Sequence, residues 1–253
     1  MHDITLTTEG CRYCLMCRHV CPVTRVTYNE ATSPHGWALE IASVRRGQLS
    51  WNTETADLLY QCADCGLCQS FCATDQPLPY AIVAARAEVV QAGHAPAAVA
   101  AVDEALQRWG NPYGAAPGSQ SEPAPVALFV GAAAWHTARP ELEAARALLE
   151  AAEYPHGLVS LGRSSGYLAY TLGLHDTART LARATISELI ERSVRTLIVL
   201  SPEHAHTLTN VYAALDVPLP AEIELIELTV LLAGLLADQR LKLYPAALDL
   251  VYH

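Results

Sequence analysis

Lysine is almost missing from this chain. Lys242 is the only one among 253 residues, and Lys and Arg together number 16 against 26 Asp and Glu. Neither half is basic: residues 1–110 hold 7 Arg against 11 acidic residues, and the remainder holds 9 basic against 15 acidic. Nucleic-acid binding depends on a cationic footprint, so that class is excluded. Long apolar runs are missing too. The longest, such as Val230 to Ala237, fall far short of the roughly 20 residues a membrane span requires. Met1–Thr5 has neither a charged n-region nor an apolar h-region, so no secretory signal is expected. These absences point to a soluble, cytoplasmic protein that reaches a membrane only through partners. Catalytic signatures are equally scarce. Gly162-x-x-x-Gly166 is too short for a phosphate loop and lacks its Lys. No Ser–His–Asp or paired-carboxylate arrangement can be read from position.

What the chain does have is cysteine, confined to its first third. All 8 cysteines lie between Cys11 and Cys72, in two blocks of identical spacing. Cys11-x2-Cys14-x2-Cys17-x3-Cys21 is followed by Pro22, and Cys62-x2-Cys65-x2-Cys68-x3-Cys72 by Ala73. Thiolates at i, i+3 and i+6 wrap one turn of backbone around three corners of a cubane. The fourth, after three intervening residues, points away at the start of a helix and ligates a different cluster. One [4Fe–4S] cluster is therefore assigned to Cys11, Cys14, Cys17 and Cys72, and a second to Cys62, Cys65, Cys68 and Cys21. Structural zinc prefers paired ligands, and each block here offers three plus one. A disulfide framework suits a small secreted domain, which this chain is not.

The rest of the first 110 residues reads as helices with no strand. One starts near Trp37 after the turn-forming Ser33-Pro34-His35-Gly36 and stops at Gly47. Others run from about Thr55 to Tyr60, from Pro79 to Gly93, and from Pro96 to Trp109-Gly110. Residues 111–125, rich in Pro, Gly, Ala and Ser, read as a linker. Beyond it the pattern alternates. Strands are expected at Val126–Val130, Gly157–Leu161, Thr196–Leu200 and Ile223–Leu228. Helices are expected at Pro140–Glu153, Asp176–Arg192, Ser201 to about Leu215, and Thr229–Asp238. Such alternation implies a parallel sheet covered on both faces.

The cysteine blocks, the helical first part and the α/β second part together resemble the CCG-type iron–sulfur proteins. That family includes the iron–sulfur subunits of glycolate oxidase, anaerobic glycerol-3-phosphate dehydrogenase and heterodisulfide reductase. Ser33-Pro34-His35-Gly36 and Gly110-Asn111-Pro112-Tyr113-Gly114 resemble family elements. The resemblance implies an α+β protein: a helical two-cluster ferredoxin-like domain (1–110), a linker (111–125) and a parallel-sheet half-CCG domain (126–253). At the positions where the family carries ligand cysteines, this chain has Ala132, Ser164, Ser165, Ser201 and His204. Iron–sulfur chemistry needs thiolates, so no cluster and no zinc is expected there, although the five residues should lie together at the carboxyl ends of the strands. Leu248–His253 resembles the strand that opens the second half of a CCG domain. The chain is accordingly expected to carry one half-domain, with another protein or a second copy on its open face.

Single residues get duller readings. His204 and His206 are expected to cap a helix and bond at the surface, His19 to be solvated or backbone-bonded, and Arg12 and Arg18 to be surface arginines. The function implied is an electron-transfer subunit serving a flavoprotein dehydrogenase. The alternatives are the same relay in a heterodisulfide-reductase-like or hydrogenase complex, or a cluster-containing docking or sensor protein.

Overall fold

The computed structural model describes residues 10–119, 122–242 and 244. Leu248–His253, resembling the opening strand of a second half-domain, lies outside the described residues.

The first part is helical, as expected: α1 (Pro22–Thr27), a 3-10 turn (Glu30–Thr32), α2 (Pro34–Arg45), α3 (Thr53–Leu59), α4 (Leu67–Ser70), α5 (Leu78–Gln91) and α6 (Ala97–Trp109). Local chemistry sets the boundaries. Ser33 caps α2, its Oγ accepting from the Gly36 amide with Pro34 in the first turn. Gly36 leaves no room for a side chain, since a Cβ there would stand 2.2 Å from the Glu30 carbonyl oxygen. Asn52 and Thr55 form a reciprocal cap on α3. Gly110 ends α6 in the left-handed region at φ 71°. Trp37, Ile41, Leu59, Ile82 and Val89 make the core, and Cys21 belongs to it.

The second part is a four-stranded parallel sheet in the order β2-β1-β3-β4. The strands are β1 (Val126–Val130), β2 (Gly157–Leu161), β3 (Thr196–Val199) and β4 (Glu224–Glu227). Around them run α7 (Gly131–His136), α8 (Arg139–Ala151), α9 (Tyr167–Thr171), α10 (His175–Glu191), α11 (Pro202–His206) and α12 (Tyr212–Ala214), then α13 (Leu228–Ala237). A π-helical turn, Thr207–Val211, joins α11 to α12. Alternation along the strands divides the side chains between two faces. Ala127, Phe129, Leu197 and Val199 pack with α10 and the α11–α12 segment. Leu128, Val130 and Ile198 pack with α8 and α13.

Two further contacts join the parts. Val99 and Leu106 of α6 share a core with Ala169, Leu174, Ala178, Leu181, Val211 and Leu215. The segment read as a linker carries no helix or strand among its described residues, yet it is tied down. The Gly118 amide donates to the Leu161 carbonyl, the Ala124 amide to the Arg192 carbonyl, and the Ser164 amide to the Gly110 carbonyl. Buried Asn111 donates to the carbonyls of Trp109 and Ala115. Side-chain bonding of this kind satisfies backbone that has no ladder partner.

Candidate metal centre

The two cysteine blocks follow the same backbone path. Tyr13 (φ 50°) and Leu15 (φ 64°) are left-handed in the first. Their counterparts in the second, Asp64 (φ 53°) and Gly66 (φ 74°), are left-handed too. Three of these four carry side chains, for which this region costs on the order of 1 kcal/mol each. Alternating hand turns successive amide groups inward, the geometry with which backbone cradles an anion. In the second block the Asp64 amide already donates to Cys62 Sγ at 3.4 Å. Cys72 Sγ accepts from the Gln76 amide at 3.3 Å.

Two cavities divide the cysteines. One is walled by Cys11, Cys14, Cys17, Cys68 and Cys72, with Leu15, Met16, Ala38 and Leu78 as apolar surroundings. The other is walled by Cys21, Cys62, Cys65 and Cys68, with Pro22, Val23, Trp37 and Pro79 around them. Cys68 and Pro34 belong to both walls, so a thin partition separates the cavities. Pro22 opens α1 directly after Cys21, and this carries the Cys21 thiol away from its own block into the helical core.

Among the described residues no group of three or more His, Cys, Asp or Glu is placed to hold a single metal ion. A cubane makes a different demand, because each thiolate binds a separate iron and the four sulfurs stand further apart than around one ion. Five thiols around the first apolar cavity and four around the second, with Cys68 common to both, fit that demand.

Burial disfavours free thiolates here. It pushes Cys17 up to about 11 and Cys68 up to about 12, with neighbouring thiols adding to it. Burial raises Cys62 as well, against the Asp64 amide and the Arg86 charge, which lower it. At Cys72 burial also pushes upward, but the hydrogen bonds of Thr74 and Gln76 outweigh it and the thiol is lowered.

Residues 7–75 match the 4Fe-4S dicluster domain family. The chain carries a 4Fe–4S dicluster domain. No curated protein and no solved structure matches the chain significantly. The dicluster domain supports [4Fe–4S] clusters and a role in electron transfer.

The sulfur-free positions come together as the alignment requires. Ala132 follows β1, Ser164 and Ser165 follow β2, and His204 sits in α11 after β3; all four line one cavity. Ser201 caps α11 through the His204 amide at 3.2 Å. This cavity lies at the carboxyl ends of the strands, where the chain passes from β2 across β1 to β3, the switch point at which open α/β sheets bind ligands.

His204 departs from the surface role expected of it. It is 7% exposed, edge-on to Phe129 at 4.8 Å between centroids, and burial lowers its pKa. The reason is Gly131 at φ 73°, where a Cβ would meet the imidazole at 2.6 Å. His206 is half-buried, pairing with Asn210 and standing edge-on to Tyr167. His19 is exposed against Phe71, and Arg18 pairs with Glu30 at 2.5 Å on the surface.

One residue carried no signal in the sequence. Arg86, in the middle of apolar α5, is 3% exposed. Its guanidinium donates to the carbonyls of Leu59 (2.9 Å), Cys62 (2.9 Å) and Thr171 (2.8 Å) and lies over the Tyr60 ring. It joins the second cysteine block to α9, and Tyr60 adds a bond to the Leu172 carbonyl.

Proposed function

We propose that this chain is an electron-transfer subunit with two [4Fe–4S] clusters ligated crosswise, one by Cys11, Cys14, Cys17 and Cys72 and the other by Cys62, Cys65, Cys68 and Cys21. The observation that carries this reading is the mixing of the blocks: the first cavity is lined by Cys11, Cys14 and Cys17 with Cys68 and Cys72 of the other block, and the second by Cys62, Cys65 and Cys68 with Cys21 of the other block. The clusters would supply one-electron steps. The protein holds them in apolar walls, with backbone amides toward sulfur, the two means by which potentials are set. The shared partition keeps the two sites adjacent, as a relay needs.

The CCG resemblance makes the partner a flavoprotein dehydrogenase. The juxtaposition of Ala132, Ser164, Ser165 and His204 supports that alignment of the second part. A protein or second copy on the outer side of α13 completes the proposal. Its support is α13, whose Val230 (64%) and Leu236 (38%) are exposed apolar side chains.

Ligation is tested by iron counting on paired variants. The reconstituted chain should hold about eight iron and eight labile sulfide. Cys21→Ser and Cys62→Ser strike the same cluster if ligation is crosswise, so the double variant keeps about four iron. Cys21→Ser with Cys11→Ser strikes both and loses nearly all. The reverse pattern refutes the assignment. The isolated chain should show no dehydrogenase activity yet accept electrons from a reduced flavoprotein.

A further inference from the structure

The two cysteine blocks share a spacing and differ in charge. From Gly10 to Asn29 the chain carries Arg12, Arg18 and Arg25 and no acidic residue. From Cys62 to Gln76 it carries Asp64 and Asp75 and no Lys or Arg. In a chain of net charge −10, the first block is a local cationic island. Glu30, the first carboxylate after it, is engaged by Arg18 at 2.5 Å and by His35 at 2.9 Å. Arg12 and Arg46 have no ion-pair partner among the described residues. Both are exposed, and the Arg46 charge reaches the Tyr13 hydroxyl.

The same stretch is the outer wall of the first cavity, which Arg12, Tyr13, Cys14, Leu15 and Met16 line. Cys14 is exposed there. Around it Tyr13 (38%), Leu15 (47%) and Met16 (50%) hold large apolar side chains in water. At the second cavity Cys65 is exposed too. Among the described residues, however, that lining exposes no large apolar side chain and holds one charge, Asp64. It also adjoins the sheet part, since Tyr167 donates to Asp64 and Arg86 ties the Cys62 carbonyl to α9. Aromatic residues, Met and Arg are the types that interfaces concentrate, and Met adapts its shape to the surface it meets. Redox encounters are small, and charge steers them.

We propose that this face, Arg12 to Met16 with Arg46 beside it, docks a small one-electron carrier protein whose own redox centre is ringed by carboxylates. The inference deepens the electron-transfer reading above and rests on it, naming the partner at the end of the relay away from the sheet. Charge complementarity decides the occupant. The unpaired arginines attract an acidic surface here, while the net charge of −10 repels it elsewhere, so the carrier is held where its centre meets Cys14. Each encounter moves one electron: the carrier's centre is oxidised, the first cluster is reduced, and no bond forms or breaks.

An acidic plant-type [2Fe–2S] ferredoxin is the probe, and cationic cytochrome c is the control. The full chain is reconstituted anaerobically, its iron is counted, and binding of each oxidised carrier is followed by calorimetry at low salt. Arg12→Glu and Arg46→Glu should each weaken ferredoxin binding about fivefold with iron content unchanged. Arg183→Glu makes the same change of charge at an exposed position of α10 and should leave it near the parent value. Met16→Ser should weaken binding several-fold even at about 0.5 M salt, where the effect of the arginines has faded. Reduction of the chain by reduced ferredoxin should slow in the same order. Equal binding by the parent and both arginine variants, or an equal loss in Arg183→Glu, overturns the proposal. So does loss of cytochrome c binding in the same two variants. Phosphatidylserine vesicles held by these arginines while ferredoxin is not would make the face a membrane contact and overturn it too. A reconstituted chain without iron overturns the two-cluster reading; a chain with its iron that ignores ferredoxin overturns the docking face alone.

Discussion

Replacing Arg86 tests whether the second cluster and the sheet domain work as one body. The guanidinium satisfies three main-chain carbonyls, at Leu59, Cys62 and Thr171, from a site that is 3% exposed. Arg86→Met keeps the apolar stem and strands all three. A buried acceptor left unpaired costs about 1–3 kcal/mol. Three of them, with partial relaxation and entry of water, should cost about 3–5 kcal/mol, a range reached by few single substitutions. Arg86→Lys keeps the charge but replaces a planar fork by a point donor, and should lose about half as much. Potential separates charge from packing. A buried cation beside Cys62 favours the more negative, reduced state of the cluster bound there. Arg86→Met should therefore lower that cluster's reduction potential, while Arg86→Lys should leave it near the parent value. Redox titration followed by electron paramagnetic resonance reads the potential, and the denaturation midpoint at fixed scan rate reads stability. If Arg86→Met matches the parent in both, Arg86 neither joins the two parts nor acts on the cluster.

Glu40, buried in α2 with neither carboxylate oxygen paired, is pushed by burial from 4.5 up to about 7. An acid that binds its proton more tightly when folded is cost-free below about pH 4.5, destabilises progressively as pH rises to about 7, and is constant above that. The full effect is about 3 kcal/mol at most, and the advantage of Glu40→Gln over the parent in thermal midpoint should grow across that window and then level off. A pH-independent difference would refute this account. Gly173, at φ 83°, has the Arg86 carbonyl carbon and the Ala87 nitrogen 2.5 Å from where a Cβ would stand. Gly173→Ala should force α9 away from α5 and raise protease sensitivity at that junction, with a loss of at least about 2 kcal/mol; unchanged digestion would show that the junction yields freely.

What the sequence disclosed followed the strength of local chemistry. Cysteine spacing is fixed by the shape of a cubane, so the 4Fe–4S dicluster domain was legible from it. The strands were legible because each is a short apolar run between turn residues, and β1 and β2 fall at the expected bounds. Ser33 and Pro34 placed the start of α2, since a cap and a fixed φ act within one turn. The helix expected at the fourth cysteine forms after Cys21 as α1, but the short helices α4, α7 and α9 were missed, because four to six residues are too few to show a helical period.

The residues that join the two parts were invisible for a different reason. Arg86 looks like an interruption in an apolar helix, and Asn111 like linker polarity. Their meaning lies in carbonyls that other segments leave unpaired, as far as 85 residues away for Arg86 and Thr171. His204 reads as a surface histidine until Gly131 is seen to open a space for its ring beside β1. In each case a polar side chain is buried because a distant backbone group either needs it or makes room for it. Spacing along the chain records neither condition. Both occur where the cluster-bearing helices meet the sheet, and that junction places Asp64 in the walls of two cavities at once. Through it Arg86 holds α5, α9 and the second cysteine block at a fixed spacing, by way of the Leu59, Cys62 and Thr171 carbonyls.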